Sequence, residues 1–310
     1  MTKLVLDITP SKRDPMVRVR IVAGAAIAPS CSRVAVVYGE KCEERRRQVD
    51  STTVIEFRTL THPQRMTIDF GGPLPSGALI LPEQTTAIVQ PIPVLVDDAT
   101  GALATHAHIW HRDYPPQRLN SLVSALFAHN THLTHLQYTF AGLPDLRTIP
   151  ESLFFPLIYT VSFAGVFAQS GIDTVSRQLF AANLQAEDFS QAFLRCKNLE
   201  HVPEDLFAST VQARLFNGTF AESGLVDIPA RLFANARRRS SFIGTFARTP
   251  VQSVPPGLMH GLDPVNVDGM FEPAAGLDHD PIKIKAGPTF PQDFFDDTRN
   301  AEGVPTCRLI

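Results

Sequence analysis

A Leu-Phe pair returns every 26 or 27 residues through the middle of this chain. It stands at Leu126-Phe127, Leu153-Phe154, Leu179-Phe180, Leu206-Phe207 and Leu232-Phe233, and Leu258-Met259 continues the series. Thirteen residues after each of those five Phe comes another: Phe140, Phe167, Phe193, Phe220 and Phe246. Four residues before these stand Leu136, Phe163, Phe189, Phe216 and Phe242. Apolar-Pro pairs precede most of the Leu-Phe pairs, at Ile149-Pro150, Val202-Pro203, Ile228-Pro229 and Val254-Pro255, with Val175-Ser176 in the second copy. Sixteen of the 21 Phe lie between Phe127 and Phe271, so the aromatic content follows from the repeat. A fixed period of this length marks an array of units that bury their rings only against their neighbours.

Each position in the unit carries a local expectation. The four-residue spacing in "FSQAF", "FNGTF" and "FIGTF" predicts two rings on one face of a helical turn. Pro cannot donate to a ladder and suits the first position of a helical turn, so it is expected to end a short strand and start such a turn. Glu151 and Glu204 follow it, where a helix N-terminus favours negative charge. The expected unit is a short strand "L-x-x-I", a Pro corner, one helical turn with Leu-Phe, a loop, and a second turn with Phe-x-x-x-Phe.

The copy "AFLRCKNLEHVPEDLF" (192–207) resembles BspA-like leucine-rich repeats, whose units carry "A-F-x-x-C-x-x-L-x-x-I-x-I-P". Phe193, Cys196, Leu199, Val202 and Pro203 keep that order, with one residue fewer before Pro and "x-x-L-F" added after it. Other copies place Leu143, Ser170, Ser223 and Thr249 where Cys196 stands. The resemblance covers about residues 120–275. The variant with "I-P-x-x-L-F" and "T-F" is associated with phage and prophage proteins as well as bacterial surface proteins. It implies binding or display in place of catalysis, and a buried, small-residue role for Cys196.

The flanks read differently. "KLVLDIT", "MVRVRIV", "RVAVVYG", "TTVIEFRTL", "RMTIDF", "ALILPE" and "AIVQPIPVLV" are short strands broken by Pro, Gly and Asp. The expected fold class is therefore α+β: an N-terminal antiparallel β-sandwich or small barrel over 1–115, then a leucine-rich-repeat solenoid of five to six copies over 116–275. "YPPQRLN" marks the junction, and residues 276–310, rich in Pro, Gly and Asp, are expected to form a cap and tail.

Bulk properties narrow the function classes. The hydrophobic fraction of 44% and charged fraction of 19% are those of a folded chain. A net charge of −3 gives no general attraction to nucleic acid or anionic membrane. The longest apolar runs, such as "IVAGAAIA", fall short of the roughly 20 residues of a membrane helix. "MTKLVLDITPSKRDP" lacks a signal-type apolar core, so a soluble protein made in a bacterial cytoplasm is expected. Cys31, Cys42, Cys196 and Cys307 include no C-x-x-C pair, and free thiols are expected, with Cys307 able to cross-link in an oxidising setting.

Two clusters bear on chemistry. Strand alternation in "LATHAHIWHRDY" would set Leu103, Thr105, Ala107 and Ile109 on one face and His106, His108 and Trp110 on the other. His106 and His108 are the candidate metal ligands, and a metal-dependent enzyme built on them is one alternative function. In "HNTHLTH", His129 and His132 are helical neighbours while His135 drifts away, which suits polar outer positions of the first copy. No G-x-S-x-G, Walker loop, G-x-G-x-x-G or H-E-x-x-H occurs, and "EERRRQ" and "ARRRSS" read as solvated charge runs.

The variable residues beside the expected strands point to a partner surface. They are Arg147-Thr148, Asp173-Thr174, Glu200-His201, Val226-Asp227 and Gln252-Ser253, a polar row of mixed sign suited to a protein or glycan. With the resemblance, they give the leading expectation: a non-enzymatic structural or interaction protein without a cofactor. It would be a phage virion component (decoration, collar or tail-fibre-like), homo-oligomeric, bound to other virion proteins through its N-terminal domain and displaying the repeats to a host-surface protein or glycan. A leucine-rich-repeat adhesin or effector at the bacterial surface is the other alternative.

Overall fold

The computed structural model describes residues 3–9, 16–22, 35–38, 44–49, 52–58, 64–69, 73–77, 79–81, 84–97, 102–110, 113, 115–262 and 264–272. Cys31, Cys42, Cys307 and the expected C-terminal cap and tail lie outside these. Among the described residues there is no α-helix. The chain divides into two compact units: Met1–His135 with Leu143–Leu146, and Leu136–Gly142 with Arg147–Ile310.

The first unit carries the strands β1 (Lys3–Ile8), β2 (Met16–Val22), β3 (Ala35–Tyr38), β4 (Glu44–Val49), β5 (Thr52–Arg58), β6 (Gln64–Asp69), β7 (Leu74–Pro75), β8 (Leu79–Ile80), β9 (Thr85–Ile88), β10 (Leu95–Val96) and β11 (Ser121–Leu122). They form an open five-stranded sheet β11-β9-β1-β6-β3, a four-stranded sheet β4-β5-β2-β8, and the pair β10-β7. Among the described residues the largest sheet is open and mixed and no closed barrel is shown, which corrects the expected antiparallel β-sandwich or small barrel. The five-stranded sheet is mixed, because β11 arrives after the Pro-rich 115–116 stretch and pairs with β9 in parallel. Residues 44–48 of the run "EERRRQ", read as a solvated charge run, lie in β4, an edge strand whose register sets Arg45 opposite Glu56. Charge on an edge discourages pairing with another chain.

Burial pins the register of β1 on β6. Leu4 stands opposite Ile68 and Leu6 opposite Met66, all four fully buried. Next to Leu6 and Met66, Asp7 opposes Arg65, whose Nε donates to the Asp7 carboxylate at 2.9 Å. A slip of one residue would turn the buried set outward and part this pair.

The second unit repeats a ribbon where helical turns were expected. Phe189, Gln191, Phe193 and Arg195 donate their N–H groups to the carbonyls of Leu215, Asn217, Thr219 and Ala221 in the next copy, at 2.8–2.9 Å. The residues between them turn back three: Ala192 to Phe189, Leu194 to Gln191, Cys196 to Phe193. The copies starting at Phe163, Phe216 and Phe242 do the same. Every fourth residue is left-handed: Gly165 and Gln169, Gln191 and Arg195, Gly218 and Glu222, Gly244 and Arg248. An α-helix cannot hold such residues.

The expected helical and strand positions are therefore corrected together. A four-residue period puts two Phe on one side of this ribbon as well as on one side of a helix, so the spacing could not separate the two. The "L-x-x-I" segments are not strands. Parallel pairing instead appears as single bridges just ahead of the ring pair, Ser162–Asp188–Leu215–Ser241–Asn266. After Pro the chain makes separate three-residue turns, such as Leu206 N to Pro203 O and Thr210 N to Phe207 O, both 3.1–3.2 Å. The expected leucine-rich-repeat solenoid with helical turns is thus not what the structure shows.

Phe side chains fill the interior in stacked columns. Phe140, Phe167, Phe193, Phe220, Phe246 and Phe271 follow one another at 5.5–5.7 Å between centroids. Phe163–Phe189–Phe216–Phe242 and Phe154–Phe180–Phe207–Phe233 run beside it. Across columns the rings meet at steeper angles, as with Phe180 and Phe189 at 72°. Offset stacks with edge-to-face contacts are the favoured aromatic geometries. The Thr of a "T-F" seals the backbone under the rings in two copies: Thr219 Oγ1 lies 2.8 Å from Phe216 O and 3.0 Å from Phe189 O, and Thr245 Oγ1 2.7 Å from Phe242 O and 2.9 Å from Phe216 O.

Candidate functional site

The ten row residues are all exposed: Arg147, Thr148, Asp173, Thr174, Glu200, His201, Val226, Asp227, Gln252 and Ser253. Local sequence explains this. Each of the later pairs is bracketed by buried apolar residues: Ile172 and Val175, Leu199 and Val202, Leu225 and Ile228, Val251 and Val254. Two inward anchors three apart leave only the two residues between them facing water.

Backbone bonds join successive pairs. Asp173 N donates to Arg147 O at 3.0 Å and Val226 N to Glu200 O at 3.1 Å. Beside them Gly224 N donates to Cys196 O at 3.1 Å, and Asn198 Nδ2 to Gly171 O at 3.1 Å. One side-chain contact lies within the row itself: His201 Nδ1 bonds to Asp227 Oδ1. The centre of the row presents the carboxylates of Asp173, Glu200 and Asp227 with the Thr174 hydroxyl beside Asp173, and Arg147-Thr148 and Gln252-Ser253 stand at the two ends. Such a surface offers hydrogen bonds and charge of both signs on a backbone already held in place.

Beneath the row, Cys196 is fully buried, its thiol donating to Phe167 O at 3.1 Å and lying 3.7 Å from Ser170 Oγ. Burial pushes the thiol up to about 11, so it carries no thiolate at neutral pH. Along a separate line, the Arg195 guanidinium donates twice to Glu222, at 2.9 and 3.2 Å, with Arg248 at 3.8 Å on the other side and Glu272 3.7 Å from Arg248. These bonds hold the Glu222 carboxyl below its ordinary value. They fall on the left-handed positions of the ribbon, so the polar residues there tie copies together.

In the first unit, His106 and His108 do not share a strand face. Residues 103–110 form no strand, and the expected alternation fails: Leu103 is exposed while Trp110 is buried. His106 is bridged in parallel to His135, and their rings stack at 4.7 Å, with His108 behind at 6.4 Å. The two dipeptides Thr105-His106 and Thr134-His135 match: each Thr Oγ1 lies 2.8–2.9 Å from the Nδ1 of its own His. Among the described residues no group of three or more His, Cys, Asp or Glu could hold a metal ion.

Two features of this neighbourhood escaped sequence reasoning. Thr134 N and His135 N both donate to Thr105 O at 3.0 Å, the pattern that Arg214 and Leu215 make on Glu187 O inside the repeats. A rung of the repeat type therefore exists before the first Leu-Phe pair, and its only sequence trace is the recurring Thr-His. Asn130, buried, donates to Pro93 O at 3.0 Å and accepts from Leu95 N at 2.7 Å, anchoring "HNTH" from inside.

No protein-family model matches this chain, and no curated protein sequence matches it. Among the described residues no helix is long and apolar enough to cross a membrane.

Proposed function

We propose that this chain is a non-enzymatic structural and interaction protein that offers its row of ten exposed residues to a protein or glycan partner, as a component of a phage virion. The observation that carries the reading is the bracketing of four of the five exposed pairs by buried anchors, copy after copy. The anchors spend the apolar residues on the core and leave the intervening ones free to vary without cost to folding. A row whose backbone is already ordered loses little entropy on binding. The virion setting rests on the resemblance of residues 120–275, and attachment to other virion proteins falls to the first unit.

Two measurements test this. Protein mass spectrometry of purified particles from a host carrying the gene should find the chain as a regular component. Particles without it, with the chain recovered at the bacterial surface, would favour the adhesin reading and overturn ours. Glycan arrays and cross-linking against particle and host-surface proteins should then yield a partner. Replacing Asp173, Glu200 and Asp227 together by Lys should weaken its binding at least about tenfold. An unchanged affinity would remove the row from the interface.

A further inference from the structure

Three successive copies leave an apolar edge uncovered on the second unit. Phe155, Ile158, Tyr159, Leu184 and Val211 are between 48% and 62% exposed. Ile158, Leu184 and Val211 hold the same place, four residues after the Phe of each Leu-Phe pair, so they form a column along the stack. Phe155 and Tyr159 flank Ile158 on its turn. The next residue in the column is Arg237, whose Nη1 donates to Gln212 Oε1 at 3.3 Å, and Arg238 follows it, also exposed. Scattered exposed apolar residues are ordinary, but three in register with two aromatic rings beside them mark an interaction surface. This edge runs from aromatic rings at one end to guanidinium groups at the other.

We infer that this edge is a two-fold interface with a second copy of the chain. A two-fold axis between Leu184 and Val211 lays the columns antiparallel. Leu184 then covers Val211 of the second copy, and the arginine end of each column meets the aromatic end of the other. Arg237 and Arg238 come over Ile158, Tyr159 and Phe155, where a guanidinium on a ring face gains a cation–π attraction. The two-fold makes both ends complementary at once, as an isologous contact requires. A parallel pairing would set arginines against arginines. None of the row residues lies in this edge, so the pairing stands or falls independently of the proposed function.

Sedimentation velocity and light scattering on the full chain at tens of micromolar test it. A dimer is expected. Leu184→Glu and Arg237→Glu should each raise its dissociation constant at least about tenfold. Leu184 is half exposed, so its variants keep the fold, and an unchanged circular-dichroism spectrum checks this. A monomer at those concentrations overturns the proposal, as does a dimer indifferent to both variants. Pelleting with phosphatidylserine vesicles that is lost in Leu184→Glu would also overturn it, assigning the edge to an anionic membrane.

Discussion

The ring of Tyr138 lies flat on Gly165: a Cβ at Gly165 would stand 2.2 Å from Tyr138 Cε1 and 2.4 Å from Cδ1. The Tyr138 hydroxyl reaches on to Gln191 Oε1 at 2.6 Å, so one side chain spans three copies. Gly165 is also left-handed, at φ +61. Gly165→Ala must therefore strain the backbone and displace the ring. We expect a loss of about 2–4 kcal/mol in reversible unfolding, the sum of left-handed and overpacking costs. Gly261→Ala, at φ +75 with open space around it, should lose only the backbone part, about 1–2 kcal/mol. Equal losses would show that the ring contact contributes nothing.

Gly224 has ordinary φ but faces backbone. A Cβ there would lie 2.3 Å from Lys197 O, and its N–H holds Cys196 O. Backbone cannot swing aside as the Tyr138 ring can. Gly224→Ala should cost about 3 kcal/mol or more, from a rung forced apart. A thermal melt within a degree of the parent would refute the close approach.

Phe220 sits between Phe193 and Phe246, near-parallel to both, and is fully buried. Phe220→Ala removes the middle of a column and leaves a cavity that ladder bonds on both sides keep from collapsing. The expected loss is about 3–5 kcal/mol, against under about 0.5 for Val265→Ala on the surface. A cost below about 1 kcal/mol for Phe220 would contradict a stacked aromatic interior.

Glu222 gives a pH dependence of known sign. Its folded value is depressed, chiefly by the Arg195 hydrogen bond, so the native state binds fewer protons than the unfolded chain. Its contribution is present above the ordinary glutamate value, near pH 4, and fades as pH falls through the lower folded value. The stability gap between the parent and Glu222→Gln should narrow from neutral to acid pH in parallel urea titrations. A gap that widened on acidification would reverse the assignment.

Cys196 should resist chemistry. With its thiol pushed up to about 11 and no surface exposed, iodoacetamide at neutral pH should leave it unlabelled in the native protein and label it in urea, read peptide by peptide by mass spectrometry. Labelling at equal rates in both states would mean the interior opens freely.

Much of the side-chain arrangement was legible in the sequence, and the backbone was not. The burial of Phe216, Phe220, Leu225, Ile228 and Phe233, and the exposure of Val226 and Asp227, follow from the period alone. The helical turns did not appear, because residues four apart coincide on a helix and on a ribbon whose hand alternates every fourth residue. The Gly residues at 165, 218 and 244 carried that signal, but Gln191 and Tyr138 in the same place obscured it. The stacking of His106 on His135 was hidden for another reason: a parallel bridge joins segments whose sequences share only Thr-His.

By itself, then, the sequence determined the period, the inward rings and the outward pairs, since these depend on which side chains water rejects. Only the tertiary structure decided the path of the backbone between them. The left-handed residues are held in place by hydrogen bonds to a neighbouring copy, and the parallel arrival of β11 depends on where β9 already lies. Interactions across 24 residues or more choose among local conformations that a short stretch of chain leaves equally open.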